Sequence, residues 1–317
     1  MAQNASEIEF PELKLSGASV SQHCEALREI GKLPFWWYIG ASGIFGNYSL
    51  PFSDSNGNWW YQVKPGLCWP ADCFAAIDAD SACPQLTKTF LGYQHVVAGE
   101  PQADSHLVIN AILDLSAYGT ESINAKRRNA IRKGFRSCIL TVETGPDDET
   151  LDGCRLAWND LTRRTGWKHA QNPDEFNESW RLLAKCPGTS IIVARDSENG
   201  QVAGFLVTKI IGDTAYVDTI ASRTDMLSVN PNDAVMYAFL MNAKNLPGVT
   251  KAHYAIKSNV TMLEKFKTGL GFVPNPFPAR TVFRPGVGLA LKLLKPKHYN
   301  RMMGIFENEN RNEAENE

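Results

Sequence analysis

The chain has 317 residues, 44% of them hydrophobic, which is enough for two globular domains, and its formal charge is −2. That balance excludes a globally basic nucleic-acid binder, and without an apolar run of ~20 residues no membrane-spanning helix is expected. The seven cysteines include no C-x-x-C pair with nearby histidines, which excludes a zinc site, and the first twenty residues lack the apolar core of a signal peptide, so a cytoplasmic protein without a metal is expected.

Taken in chain order, the first third is aromatic and irregular. "LPFWWYIG", "GNWWYQVKPGLCWP" and "TFLGYQHVVAG" read as short strands between Gly, Pro and Asn turns. Trp36, Trp37, Trp59, Trp60 and Trp69 lie here, as the core of a small β-rich domain or the lining of a substrate cleft. From about residue 106 the texture changes. "HLVINAILDL" has strand length, and "TESINAKRRNAIRKGFR", opening at Thr120, reads as a basic helix. "SCILTVET" is strand-like, and "PDDETLDGCRLAWNDLTRRTG" has acids in its first turn, arginines in its last and Gly166 as a stop. "PDEFNESWRLLAKC" is a second helix of this kind.

"TSIIVARD", "QVAGFLVTKII" and "TAYVDTIAS", separated by the turns "SENG" and "GD", predict an antiparallel meander. The segment "NPNDAVMYAFLMNAKNL" predicts a helix introduced by Asn232 and Asp233, and "VTKAHYAIKS" a strand. In "NVTMLEKFKTGLGF", Met262, Leu263, Phe266 and Leu270 fall at helical spacing, Asn259 suits the N-cap, and Gly269 and Gly271 suit the stop. "GFVPNPFPARTVFRP" and "VGLALKLLKPKHY" add extended and mixed pieces, and the polar "ENENRNEAENE" predicts a disordered acidic tail. The fold class is therefore α/β, or α+β, with a mixed sheet and helices on its faces.

Over residues 108–280 this order resembles the GNAT acyltransferase fold. Two departures from acetyl-CoA-dependent members stand out. The loop "SRTDMLSVNPND" contains no glycine to cradle a CoA pyrophosphate, and Lys267 stands where those members often carry a tyrosine. Both point to the FemAB/FemX-like branch with its BioF2-like domain. "LDLSAYGTESINAKRRNAIRKGF" and the Phe-Lys pair in "EKFKTGLG" are similar to the motifs of that branch. The resemblance implies a catalytic GNAT-like domain at 106–280. It also implies a degenerate GNAT-like domain formed by 1–105 and joined by 281–306, with the tail at 307–317.

It further implies an N-acyltransferase that moves an acyl group from an acyl-CoA (acetyl-CoA) thioester to the amine of a small or peptide-like acceptor. Transfer from aminoacyl-tRNA is the alternative, and a catalytically silent ligand-binding module of the same fold is a third reading. Lys267 would lie near the donor carbonyl with Phe266 packed beneath it. "YVDTIAS" and "HYAIKS" would be strands that part to hold the donor. Asp218, placed by alternation on one face with Tyr216 and Ile220, is a candidate general base. Tyr254 is a candidate acid, facing away from His253. Arg128, Arg132 and Arg136 form a cationic stripe suited to phosphates or tRNA, while Asn232, Ser222 and Asn259 are candidate donor contacts.

Overall fold

The computed structural model describes residues 8–30, 50–166, 172–258 and 260–306. "LPFWWYIG", Asn259 and the acidic tail lie outside the described residues. The chain divides into two compact units, one of residues 1–51 and 109–274, the other of 52–108 and 275–317.

In the larger unit, the helix Val20–Ile30 (α1) precedes the second half of strand Ser105–Ile112 (β5). Then come Ala125–Ser137 (α2), Cys138–Val142 (β6), Asp148–Thr165 (α3), Pro173–Leu183 (α4) and the meander Thr189–Asp196 (β7), Val202–Ile211 (β8) and Thr214–Ser222 (β9). Pro231–Lys244 (α5), Lys251–Ile256 (β10) and Thr261–Gly269 (α6) complete it. The sheet order is β5-β10-β9-β8-β7-β6. All neighbours are antiparallel except β9 and β10, which run parallel across the α5 crossover. One face packs Val235, Phe239 and Leu240 of α5 against Leu206, Ile210 and Val217, and the other packs Trp158 and Trp180 of α3 and α4 against Phe205 and Val207.

The stops and starts have local causes. Asp147 and Asn172 accept the backbone N–H of Thr150 and Glu175 as N-caps, and Gly166 ends α3 in the left-handed region. The basic helix does not begin at Thr120. A short 3-10 turn covers Thr120–Ser122, and α2 starts only where Asn124 caps Arg127. Gly134 lets α2 sit close on α5, since a Cβ there would stand 2.8 Å from both the Ala234 Cβ and the Asn230 carbonyl. The segment from Ile8 to Ile30 groups with this unit rather than with the aromatic stretch after it. Ile8 and Leu13 enter its core, and the Leu13 N–H donates to Asn242 Oδ1 at 2.8 Å.

The smaller unit holds Phe52–Ser53 (β1), Trp59–Lys64 (β2), Leu67–Pro70 (β3), Gly92–Val96 (β4), the first half of β5 and most of Val273–Phe283 (β11), followed by Val287–Leu294 (α7) and Pro296–Met302 (α8). Trp60 is fully buried with Phe52, Cys68 and Ile77, and its indole N–H donates to Asp54 Oδ2 at 2.9 Å. That tryptophan is core. No helix among the described residues is long and apolar enough to cross a membrane.

Candidate functional site

Strands β9 and β10 pair over three residues only, Lys251 with Thr214, Ala252 with Ala215 and His253 with Tyr216. Beyond that point β9 pairs only with β8, and β10 with β5, so the two parallel neighbours part. Backbone donors and acceptors lining such a gap have no ladder partner and are available to an extended substrate. The β10 edge is irregular here as well. Its register with β5 slips between His253 and Ile256, and Ala255 takes the left-handed conformation with φ 58°. A non-glycine residue held there costs on the order of 1–2 kcal/mol, so surrounding structure enforces the bend.

Helix α6 lies against this edge with Phe266 and Leu270 of its apolar stripe packed into the core. Met262 is 77% exposed, whereas Lys267 is 1% exposed. The Lys267 ammonium donates to the Ile256 carbonyl at 3.3 Å and to Glu264 Oε1 at 2.9 Å, and stands 5.2 Å from the Tyr254 ring centroid. Glu264 Oε1 also accepts the Ser258 N–H at 2.9 Å and the Asn110 side-chain amide at 3.4 Å. Its other oxygen, and Asn110 Oδ1, are buried with no hydrogen-bond partner among the described residues. Tyr254 packs edge-on to Phe266 and Phe272, and burial, then the nearby Glu264, raises its phenol pKa so that it stays protonated. The Arg127 guanidinium lies 4.7 Å from the Phe266 centroid and pairs with Asp233 at 2.6 Å. The turn after α6 is closed by Gly271 at φ 91°, where a Cβ would come within 3.0 Å of the Ser122 carbonyl. Lys267 thus points into the protein, not off the helix end.

Asp218 sits across the strand pair. Val207 pairs with Thr219 and Thr208 with Val217, which leaves Asp218 as the extra residue of a β-bulge. The bulge resets alternation. Ile220 packs with Val217 against the α5-side core, so Asp218 keeps Tyr216 but not Ile220 on its face. Its carboxylate pairs with Lys209 at 3.2 Å, and that ammonium stands 5.5 Å from the Tyr216 centroid. The His253 ring lies 5.1 Å from that of Tyr216. Burial, then Lys209 and Lys267, lower its pKa to about 3, so it is neutral at ordinary pH. Tyr254 packs with Phe266 into the α5-side core whereas His253 packs on Tyr216, so the site residues fall in two groups: Lys267, Phe266 and Tyr254 in the first, Asp218 with Lys209, Tyr216 and His253 in the second.

Arg128 turns back on its own helix start and donates to the Ile123 and Thr120 carbonyls. It is half-buried, as is Arg132, while Arg136 is exposed, so the stripe is not uniformly turned to solvent. Asn232 donates to Ser222 Oγ at 3.1 Å, joining the start of α5 to the end of β9. Helix α5 begins with Pro231, after the 3-10 turn Thr224–Val229. Among the described residues no cluster of His, Cys, Asp and Glu could hold a metal ion. Glu264, Lys209 and Arg127 were not singled out from the sequence, though two carried a signal. Lys209 interrupts the apolar "VAGFLVTKII" just as Asp218 interrupts "TAYVDTIAS", and Glu264 stands three residues before Lys267 on one helix.

No family model and no curated protein matches the chain. Solved structures do. FemX superposes with a TM-score of 0.53 at 10% identity, over 89% of this chain and 100% of that one. The C-terminal DUF2156 domain of a putative lysylphosphatidylglycerol synthetase from Agrobacterium fabrum gives 0.51 at 12% identity, over 92% and 99%. L-PGS from Bacillus licheniformis gives 0.50 at 16% identity, over 92% and 99%. The chain therefore shares the fold of FemX and of these two other structures, in line with the Fem-like resemblance of its residues.

Proposed function

We propose that this chain is an acyltransferase of the aminoacyl class, moving an aminoacyl group from a charged-tRNA-like ester to the amine of a small or peptide-like acceptor. The observation that carries the reading is the buried Lys267, held at the edge where β9 and β10 part. In this reading the donor's ester carbonyl lies in the gap. The acceptor amine attacks it, forming the C–N bond as the carbonyl oxygen becomes an oxyanion beside the Lys267 ammonium, and the C–O bond then breaks as the carbonyl re-forms. The amine's proton passes to Asp218, and Tyr254 supplies one to the departing ribose oxygen. A preorganised donor of this kind is worth about 3 kcal/mol at the transition state.

Two features support an aminoacyl donor over an acyl-CoA. Pro231 offers no N–H at the start of α5, where a pyrophosphate would be cradled. An aminoacyl group also brings an ammonium, and Glu264 Oε2 and Asn110 Oδ1 are unpartnered acceptors adjoining Lys267. One of the three similar structures is a domain of a putative lysylphosphatidylglycerol synthetase, a name that fits the same class. A CoA thioester is the second reading, favoured by the gap itself, whose free backbone groups suit the amides of a pantetheine arm.

Fluorescence titration of the purified chain with a pool of aminoacylated tRNA and, separately, with acetyl-CoA tests the choice. Saturable binding of charged tRNA, weakening steeply with salt, upholds the first reading. Saturable acetyl-CoA binding with no tRNA binding replaces it with the second. Binding of neither leaves the ligand-binding module in place of the enzyme.

A further inference from the structure

From Asn275 to Phe306 the chain carries six arginines and lysines and no acid, in a protein whose formal charge is −2. The segment ends in helices α7 and α8. Neither contains a buried residue. Leu289, Leu293 and Leu294 are 64%, 70% and 80% exposed, and every residue from Lys292 to His298 is exposed. Leucines left in water over two turns of a helix are unusual for a solvated face. Here they alternate with Lys292, Lys295 and Lys297 in "LALKLLKPK". The local field is positive beyond these two helices as well. The His298 pKa is lowered by partial desolvation and then by Lys64, Lys295 and Arg301, so the exposed Lys64 of β2 adds its charge to the same neighbourhood.

We infer that α7 and α8 form a peripheral docking surface for an anionic lipid bilayer. The exposed leucines would enter the headgroup boundary, and Lys292, Lys295, Lys297 and Lys64 would lie against the phosphates. The chemistry selects this occupant. An apolar ridge alone would suit a second copy of the chain, but a second copy would bring the same four lysines to the contact, where like charges repel. An anionic bilayer supplies both an apolar layer for the leucines and negative charge for the lysines. The two contributions are separable, because leucine insertion resists salt whereas lysine attraction is screened. The surface belongs to the smaller unit and stands apart from Lys267 and Asp218 in sequence and in role, so it holds or fails independently of the proposed reaction.

The test is co-sedimentation of the 317-residue chain with vesicles of phosphatidylcholine alone and of phosphatidylcholine with about one-third phosphatidylglycerol. Binding is expected to the anionic vesicles and to weaken as salt rises. Lys292→Gln/Lys295→Gln/Lys297→Gln should cut it on the order of a hundredfold, since each lysine near an anionic leaflet is worth about fivefold. Leu293→Glu/Leu294→Glu should cut it by roughly tenfold or more and leave the melting temperature unchanged, because both side chains are already in water. Equal indifference of the wild type to both vesicles overturns the proposal, and so does binding that survives both variants. A dimer in light scattering that Leu293→Glu/Leu294→Glu dissociates, without vesicle binding, gives the face to a second copy instead.

Discussion

Two buried lysines, each paired with one acid, lie in the larger unit, and they are built in different ways. Lys267 and Glu264 sit one turn apart on α6, so helix geometry alone brings them to 2.9 Å. The carboxylate is fixed in turn by the Ser258 N–H and by Asn110. Lys209 and Asp218 lie on neighbouring strands and meet at 3.2 Å only because a bulge inserts Asp218 into β9. The first pair is a local device that any α6 of this sequence would carry, whereas the second exists only in the assembled meander. A lysine within 1% of full burial can be held charged only by such partners. In the proposed reaction the helix-borne pair serves the donor carbonyl and the bulge-borne pair the acceptor amine.

The largest effect should come from breaking the helix-borne pair. Lys267→Met strands a buried carboxylate and should cost about 3 kcal/mol or more in urea unfolding, while Lys267→Met/Glu264→Gln should recover most of that loss. If the double variant is as unstable as the single one, the pair is not the unit described here. Breaking the bulge-borne pair should cost less. Asp218→Asn keeps a hydrogen-bonding side chain beside Lys209, and about 1–3 kcal/mol is expected from the same unfolding curves. A cost larger than that of Lys267→Met would reverse the ranking of the two pairs.

The last effect is a slope with pH rather than a single loss. His23, fully buried and accepted by the Pro187 carbonyl at 2.8 Å, has its pKa lowered to about 4, by burial first and then by Lys209. A histidine depressed on folding takes up its proton more readily when unfolded. Its contribution is therefore complete above pH ~6.5 and is lost as pH falls toward about 4, at up to about 1.4 kcal/mol per pH unit. Stability measured across that window should fall with acid, and His23→Gln should flatten the slope. In Lys209→Met the His253 ring loses one of the two ammonium charges that, after burial, hold its pKa down, and it should titrate at a higher pH by NMR than in the wild type. An unmoved His253 titration would mean that Lys209 does not shape this side of the gap.

Much of the architecture was legible in the sequence, because turns and caps are short-range. The hairpin turns "SENG" and "GD" bound β7, β8 and β9, and Gly166 closes α3. The candidate site was legible only in part. Helical spacing placed Met262 on the buried face, but Lys267 took the interior because β10 offers it the Ile256 carbonyl and α6 offers it Glu264. Strand alternation carried Asp218 and Tyr216 to one face correctly but failed at Ile220, since a bulge leaves no mark in a period-two pattern. The partner of Asp218 lies on the next strand, and only the assembled register shows that Lys209 reaches it. "KRRNAIRKGFR" showed a cationic stripe, yet Arg128 spends its charge on two carbonyls of the preceding turn.

The most direct test of the account is single-turnover transfer from aminoacylated tRNA to hydroxylamine, a surrogate acceptor amine. It would compare the wild type with Lys267→Met/Glu264→Gln, in which no buried charge is left alone. A roughly 100-fold or greater loss in rate with charged-tRNA affinity little changed is predicted, the signature of a group that acts on the transition state rather than on the bound donor. Transfer at the wild-type rate by that folded double variant would contradict the account and return Lys267 to a purely structural role.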